Sequence, residues 1–182
     1  MNLDKKHSRY GSLLMAMHWI MLIMLVGVFA CIELREVFPR GSEPRAALKT
    51  WHFMLGLSVF CLLWLRLLAR VTTPTQPIIP SLPLWQRVTA NSVEFTLYLF
   101  MFVMPVLGWS VLSAEGSTIP FWGFEFFALL NTDKELAKQL EEIHGLIGTA
   151  GYYLIGLHAM AALFHHYIRQ DNVLLRMLPR RH

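Results

Sequence analysis

Four long apolar runs, separated by short polar or proline-containing stretches, divide the chain. A helix needs about 20 mainly apolar residues to cross a bilayer core about 30 Å thick, and each of the four runs is long enough. They cover residues 10–32, 50–69, 92–113 and 143–168. We therefore predict an all-α fold, a transmembrane four-helix bundle that forms a single domain over residues 1–182. Composition agrees, because only 15% of the residues are charged, against about 25% in soluble domains.

The stretches between the runs indicate where the helices end. Residues 72–83, "TTPTQPIIPSLP", contain four prolines, and proline lacks the backbone N–H and disfavours helix in the residue before it. We predict an extended connector there. The loop between the third and fourth helices is long, and its "IPFWGFEFFALL" is rich in aromatic residues that suit a membrane interface. Thr132 and Glu135 have the spacing of a capping box, which predicts a fourth helix that begins there and projects beyond the lipid.

The distribution of Lys and Arg predicts the orientation. With both termini inside the cell, ten of the 16 cations lie in inner segments, as the positive-inside rule requires. This favours an N-in, C-in arrangement. The outer segments then carry six cations and nine acidic residues, so long-range attraction of an anion to that side is weak unless the cations cluster.

Four histidines inside the apolar runs are the candidate chemistry. An ionisable residue within a membrane helix is costly and suggests a function. At a rise of about 1.5 Å per residue, His52 and His144 lie at one depth near the outer boundary. His18 and His158 lie at a second, deeper level. His144 and His158 also share one face of their helix to within about 40°, so we predict two pairs, His18 with His158 and His52 with His144.

Paired imidazoles on neighbouring helices are what bis-histidine haem ligation requires. Small residues near the pairs would let a macrocycle approach the backbone: Gly56, Gly148, Gly151 and Ala162. Such residues also serve plain helix packing, and a single intramembrane histidine can simply bond to a carbonyl. Zinc or copper fits less well, because two histidines without nearby Cys, Asp or Glu underfill its coordination. We predict that His18, His52, His144 and His158 ligate two haem irons.

His165 lies on the same face as His158, about 10.5 Å closer to the inner surface. It can hydrogen-bond a bound ligand, or it can be an interfacial histidine in contact with water. His165 and His166 are also alternatives to His158 as an iron ligand.

Three stretches of the sequence resemble the bacterial cytochrome b561 family: "RYGSLLMAMHW" (9–19), "TPTQPIIP" (73–80) and "YLIGLHAMAALFHHYIRQDNVLLRMLPR" (153–180). The resemblance covers nearly the whole chain and is weakest between 113 and 140. It implies a multi-pass protein of the bacterial inner membrane with two b-type haems on the same four histidines. It also implies a ubiquinone site near the inner helix ends, where the position of His165 is implicated. Ala16 stands where the superoxide-oxidising member of the family has a serine near its quinone.

The resemblance implies an oxidoreductase that transfers electrons between periplasmic superoxide and ubiquinone. Because superoxide gives up one electron without bonding to the protein, we expect no catalytic side chain, and the haems supply the chemistry. Arg45 and Lys49 precede His52 and can attract the anion or pair with haem propionates. Arg9, Arg66 and Arg70 are the corresponding candidates for inner propionates or quinone oxygens. All five can instead be charges that set the topology.

Two other functions remain open from the sequence. A quinol-oxidising haem b subunit would reduce a periplasmic redox partner, which the acidic stretch 132–142 could dock. A haem-free transport or structural bundle would use the histidines to relay protons or to bind an ion. We expect no nucleic-acid partner.

Overall fold

The computed structural model describes residues 11–73 and 78–178, and four long helices dominate it. They are α1 (Ser12–Leu34), α2 (Glu43–Thr72), α3 (Leu84–Glu115) and α4 (Lys134–Phe164). A π-helical turn, His165–Arg169, continues α4, and short 3₁₀ turns span Arg35–Val37 and Leu175–Met177. All four helices are long and apolar enough to cross a membrane. The prediction of a helical protein with four spans is confirmed.

Helices α2, α3 and α4 are longer than the apolar runs from which they were predicted. Helix α2 begins at Glu43 with Pro44 in its first turn, a position that suits proline because its missing N–H would be unpaired there. Helix α3 begins directly after Pro83 and ends at Glu115. The next residue, Gly116, adopts a left-handed conformation with φ 71°, which commonly terminates helices. Prolines and a glycine therefore set these bounds, and the polar ends of the helices lie outside the predicted runs.

The predicted cap of α4 was wrong by one residue. Asp133 is the N-cap, and its Oδ1 accepts hydrogen bonds from the backbone N–H groups of Glu135 and Leu136, each at 3.0 Å. Aspartate caps a helix at least as well as threonine. Thr132 packs instead beside Gly116, where an added Cβ would come within 2.9 Å of its Oγ1.

The loop between α3 and α4 contains a β-hairpin that the sequence analysis missed. Strand β1 (Ile119–Phe121) pairs antiparallel with β2 (Phe124–Phe126). Trp122 and Gly123 connect them with positive φ angles of 46° and 91°, as a two-residue hairpin turn of type I′ requires. The indole N–H of Trp122 donates to Ser58 Oγ at 2.9 Å. The hairpin therefore lies along α2. Its Trp122 contacts Ser58, which is six residues after His52, or about 9 Å further along the helix axis.

The helices pack unevenly. The closely packed neighbours are α1 with α2, α2 with α3, and α3 with α4. Within the described ranges, α4 is more widely spaced from α1 and α2. We call the end of the bundle that holds the hairpin the hairpin end, and the end that holds the start of α1 and residues 165–178 the tail end.

The centre of the bundle is a cluster of apolar side chains from α1, α2 and α3: Met21, Val59, Leu63, Phe100 and Met101. Helix α4 joins this cluster through Gly151, which is buried against the ring of Phe100. A Cβ at this position would clash with the Phe100 ring. Small residues permit such close approach in membrane bundles, where packing drives helix association.

We predict that Gly151→Ala destabilises the protein by about 1–3 kcal/mol, the usual cost of overpacking. Gly156→Ala is the matched control, because a Cβ at Gly156 would meet nothing within 4 Å. Alanine is a better helix former than glycine by about 1 kcal/mol, so the control variant should be at least as stable as the wild type. Thermal unfolding in detergent measures both. A Gly151→Ala protein as stable as the control would contradict this packing.

Candidate functional site

The first histidine pair lies near the hairpin end. His52 of α2 and His144 of α4 have ring centroids 6.1 Å apart, with ring planes at 78°. His52 Nδ1 lies 3.0 Å from the carbonyl oxygen of Val28 on α1. Since a carbonyl only accepts, Nδ1 carries the proton and donates, and Nε2 keeps its lone pair for a ligand. His144 Nδ1 is buried and has no hydrogen-bond partner among the described residues.

The second pair lies toward the tail end. His18 of α1 and His158 of α4 have ring centroids 6.3 Å apart, with ring planes at 60°. His158, and not His165 or His166, is thus the α4 histidine that faces His18. Both pairs cross the wider gaps between α4 and its neighbours. The structure thus brings together the histidines that were predicted to pair, His18 with His158 and His52 with His144.

The separation within each pair is informative. Two imidazoles joined by a direct hydrogen bond would have centroids about 5 Å apart, from an N···N distance of about 2.9 Å and about 1.1 Å from each nitrogen to its ring centre. Two imidazoles that share one metal ion, each about 2.0–2.1 Å from it, would have centroids about 6.3 Å apart. The observed 6.1 and 6.3 Å match the second value. Edge-to-face contacts between two rings span the same range of centroid distances. The surroundings of the pairs must therefore distinguish a ligand site from simple ring packing.

A cavity of about 230 Å³ surrounds the first pair. Besides His52 and His144, its lining includes four glycines: Gly56, Gly108, Gly145 and Gly148. At Gly56 and Gly145 an added Cβ would meet nothing within 4 Å, whereas at Gly108 it would come within 3.3 Å of His144 Cε1. The pair therefore opens into space bounded by bare backbone, as a broad flat ligand needs. Ordinary ring packing would leave no such space.

The glycines divide into two groups with different roles. Gly56 and Gly148 line the cavity, as predicted for residues that make room for a macrocycle. Gly151 was predicted to do the same, but it packs against Phe100 instead. The sequence analysis missed Gly108 and Gly145. Gly108 lies on α3, which has no predicted ligand, and Gly145 is turned by about 100° around α4 from the neighbouring His144.

The hairpin supplies a wall of this cavity. Ile119 of β1 is 1% exposed and packs with Leu57 of α2 and Leu112 of α3, and all three line the cavity. The loop that was predicted only to sit at the membrane interface thus closes the site between α2 and α3. The Trp-Gly turn between aromatic segments was the signal that could have revealed it.

The two predicted cations of the hairpin end lie in a basic cluster. Arg45 pairs with Glu36 at 2.8 Å and donates to the carbonyl oxygens of Arg35 and Phe38 at 2.9 and 3.1 Å. Lys49 lies 3.9 Å from Glu115. Arg35, Arg45 and Lys49 together line a surface cavity of about 210 Å³. Cations therefore cluster at this end, although acidic residues outnumber basic ones in the outer segments.

The predicted cations of the tail end make contacts within the bundle. Arg66 donates to Tyr98 Oη at 3.1 Å and to the carbonyl oxygen of Leu14 at 3.3 Å. Arg70 pairs with Glu94 at 3.2 Å. Both contacts tie α2 to its neighbours, which agrees with a structural role for these charges. Arg9 lies outside the described residues.

His165 has a partner that the sequence analysis missed. Its Nδ1 lies 2.5 Å from Oδ2 of Asp171, which follows the π-helical turn and is buried. A metal site made by protein groups alone is absent from the described ranges, where no three His, Cys, Asp or Glu side chains converge. The two histidine pairs therefore fit a metal whose remaining ligands come from a planar cofactor, as haem provides.

Four apolar helices with paired imidazoles beside a cavity define a class, the membrane-bound cytochromes. Within that class, residues 9–180 match the family described as prokaryotic cytochrome b561, and the chain belongs to this family. Its members carry out electron transfer in membranes with haem b. Membership argues against the haem-free transport or structural bundle and supports an oxidoreductase activity.

Relatives match over almost their whole length. Cytochrome b561 homolog 1 of Escherichia coli (strain K12) is 34% identical over 96% of this chain and 99% of its own. A probable superoxide oxidase, CybB of Yersinia pestis, is 33% identical over 96% of this chain and 98% of its own. Cytochrome b561 homolog 2 of E. coli (strain K12) is 27% identical over 98% and 95%. The resemblance predicted from the sequence motifs is confirmed.

We predict that His144→Ala removes the haem of the hairpin end and spares the other, so that haem per chain falls by half. His158→Ala should remove the other haem. His166→Ala is the control and should leave the haem content unchanged, because His166 belongs to neither pair. Haem extraction against protein concentration, with the absorption spectrum, measures all three. Loss of both haems from correctly folded His144→Ala would contradict two separate sites.

Proposed function

We propose that the protein is a di-haem b cytochrome that passes electrons from superoxide at the hairpin end to ubiquinone at the tail end. The observation that carries the proposal is the presence of two metal-spaced imidazole pairs, each with one member on α4. Their α4 members are separated by 14 residues, or about 21 Å along its axis. When bound, each haem iron exchanges single electrons, with a potential set by its ligands and burial.

In this proposal His52 and His144 hold one haem, and His18 and His158 hold the other. The hydrogen bond from His52 Nδ1–H to Val28 O fixes the tautomer and the orientation of the ring, as second contacts of histidine ligands commonly do. Arg66, bonded to Tyr98 and to the α1 backbone, fixes α2 against both neighbouring helices near the second pair.

The hairpin end is proposed to face the periplasm, which agrees with the positive-inside distribution of Lys and Arg and with a bacterial inner-membrane location. There the basic cluster of Arg35, Arg45 and Lys49 attracts the superoxide anion at short range. Each superoxide gives up one electron and leaves as dioxygen. The relative named a probable superoxide oxidase supports this donor.

The tail end is proposed to bind ubiquinone. Two electrons and two protons convert one ubiquinone to ubiquinol, so two superoxide anions, two protons and one ubiquinone give two dioxygen molecules and one ubiquinol. Ala16 is exposed on α1, two residues before His18, and offers no hydroxyl to a quinone. We propose that His165, which lies at the tail end, contacts the quinone oxygen.

We expect superoxide to reduce the haems of the purified protein, and added ubiquinone to reoxidise them. The reduced α band measures both steps. Superoxide dismutase is the control and should abolish the reduction, because it removes the donor. Haems that stay oxidised under a superoxide flux would rule out this donor.

One observation favours the alternative function, in which the protein oxidises quinol and reduces a periplasmic redox partner. Glu135, Glu141 and Glu142 are exposed on the first turns of α4 at the hairpin end, where a basic redox protein could dock. The same experiment separates the two functions, because this alternative requires quinol to reduce the haems and superoxide to leave them unchanged.

We predict that Lys49→Gln slows haem reduction by superoxide about three-fold or more and weakens the dependence of the rate on ionic strength. Steering by a local cation cluster raises association rates and is screened within about 10 Å at 0.1 M salt. Lys138→Gln is the matched control, since Lys138 is exposed on α4 and outside the cluster. Stopped-flow rates at several salt concentrations measure both. Equal rates for the two variants would contradict a role of the basic cluster in attracting superoxide.

A further inference from the structure

A hydrogen bond joins α1 to α4 beside the cavity of the first histidine pair. The hydroxyl of Tyr152 on α4 donates to Glu33 Oε1 on α1 at 2.7 Å, and the Tyr152 ring packs on the ring of Phe29 with centroids 4.3 Å apart. We call Phe29, Glu33 and Tyr152 the α1–α4 bridge. All three residues line the cavity, yet none of them belongs to a histidine pair. Ligation of iron therefore does not explain the bridge.

Close packing holds the other sides of the cavity together. Between α1 and α2, a Cβ added at Gly27 would come within 3.0 Å of Leu55 Cδ1, and between α3 and α4 a Cβ at Gly151 would clash with Phe100. Ile119 of the hairpin fills the side between α2 and α3. Helices packed so tightly cannot separate without losing many van der Waals contacts at once. A broad, flat ligand therefore has no easy passage on these three sides.

The side of the cavity between α1 and α4 is different. Within the described ranges these two helices are widely spaced, and at the level of the cavity the side chains of the bridge span the distance between them. Glu33 and Tyr152 are exposed and also line the cavity, so they lie at its edge. Rotation of these two side chains would break the hydrogen bond without a shift of either backbone. Regions with few apolar contacts open locally at a low cost in free energy.

We propose that the haem of the first pair enters and leaves between α1 and α4, and that the hydrogen bond from Tyr152 to Glu33 closes this passage once the haem is bound. The inference rests on the haem ligation in the proposed function and is independent of the electron donor and acceptor. His52 and His144 can rebind a haem whose iron bonds have broken as long as the passage is closed. The rate of haem loss therefore depends on how often the bridge opens.

The test measures the transfer of haem from the full-length, haem-loaded protein in detergent to an excess of apomyoglobin, followed by absorption. Tyr152→Phe removes the hydroxyl but keeps the ring that packs on Phe29. Loss of one hydrogen bond to a carboxylate should make the transfer of one haem per chain about tenfold faster. The other haem should leave at the wild-type rate, because the bridge lines the cavity of the first pair.

Two further variants identify the haem and control for the loss of a hydroxyl. His144→Ala, which should retain only the haem of the second pair, shows the kinetic phase of that haem, and adding Tyr152→Phe to it should change nothing. Tyr153→Phe is the matched control. It removes the same group from the next residue, which is 77% exposed and lies outside the cavity lining, so both haems should leave at wild-type rates.

Changes at Glu33 test the other partner of the bond. Glu33→Ala should accelerate the loss of the same haem as much as Tyr152→Phe does. The double variant should be no faster than either single variant, because both changes remove one shared bond. Glu33→Gln keeps an oxygen that accepts from Tyr152 and should restore most of the wild-type retention. Glu33→Ala also keeps the test decisive if Tyr152→Phe does not fold.

Wild-type rates of haem loss in both Tyr152→Phe and Glu33→Ala would overturn the inference. Equal acceleration for both haems would overturn it as well, because it would indicate a general loosening of the bundle. Wild-type protein that does not bind two haems would contradict the proposed ligation, and this inference with it. Wild-type protein that binds two haems but exchanges no electrons with superoxide or ubiquinone would contradict only the proposed donor and acceptor.

Discussion

The structure depends on keeping four imidazoles in register within an apolar bundle, where a polar group without a partner is costly. Helix α4 contributes one member to each pair, so a rotation or shift of this single helix would break both. Its register is set on the opposite side, by α3. Gly151 seats the helix on Phe100, and Gly108 gives the ring of His144 room to turn toward His52. Packing between α3 and α4 thereby fixes the geometry between α4 and the other two helices.

The spans and the histidine pairs could be predicted from the sequence, because both follow from distances along a helix. Apolar length gives the span, and rise and rotation per residue give the level and the face of each histidine. The roles of the glycines could not be predicted in this way. Gly148 and Gly151 lie on similar faces of α4. An added Cβ would make an ordinary contact with Met104 Cε at Gly148 but would clash with the Phe100 ring at Gly151, and only the positions of these two α3 side chains decide the difference.

The hairpin and the contact between His165 and Asp171 escaped prediction for a related reason. Ile119 is buried only because Leu57 and Leu112 meet over it from two helices, a contact that no local pattern encodes. Asp171 is six residues beyond His165, and a continuous α-helix would put the two on different faces. The π-helical turn and the left-handed Gln170 cancel that rotation and bring the carboxylate back to the ring. Deviations from helical geometry thus produce the part of the candidate site that helical rules miss.

The two ends of the bundle differ in a way that matches their proposed chemistry. At the hairpin end, Arg35, Arg45 and Lys49 are partly exposed around a surface cavity, which suits a small anion that arrives and leaves without bonding. At the tail end, Asp171 and Arg176 are buried and the chain is folded over them. An electron that crosses a low-dielectric bundle leaves uncompensated charge unless a proton follows it at its destination. In the proposed function the reduction of ubiquinone takes up protons at the tail end, so the charge of the electron is compensated there. The proposed direction thus runs from the end with partly exposed cations to the end where His165 contacts the buried Asp171.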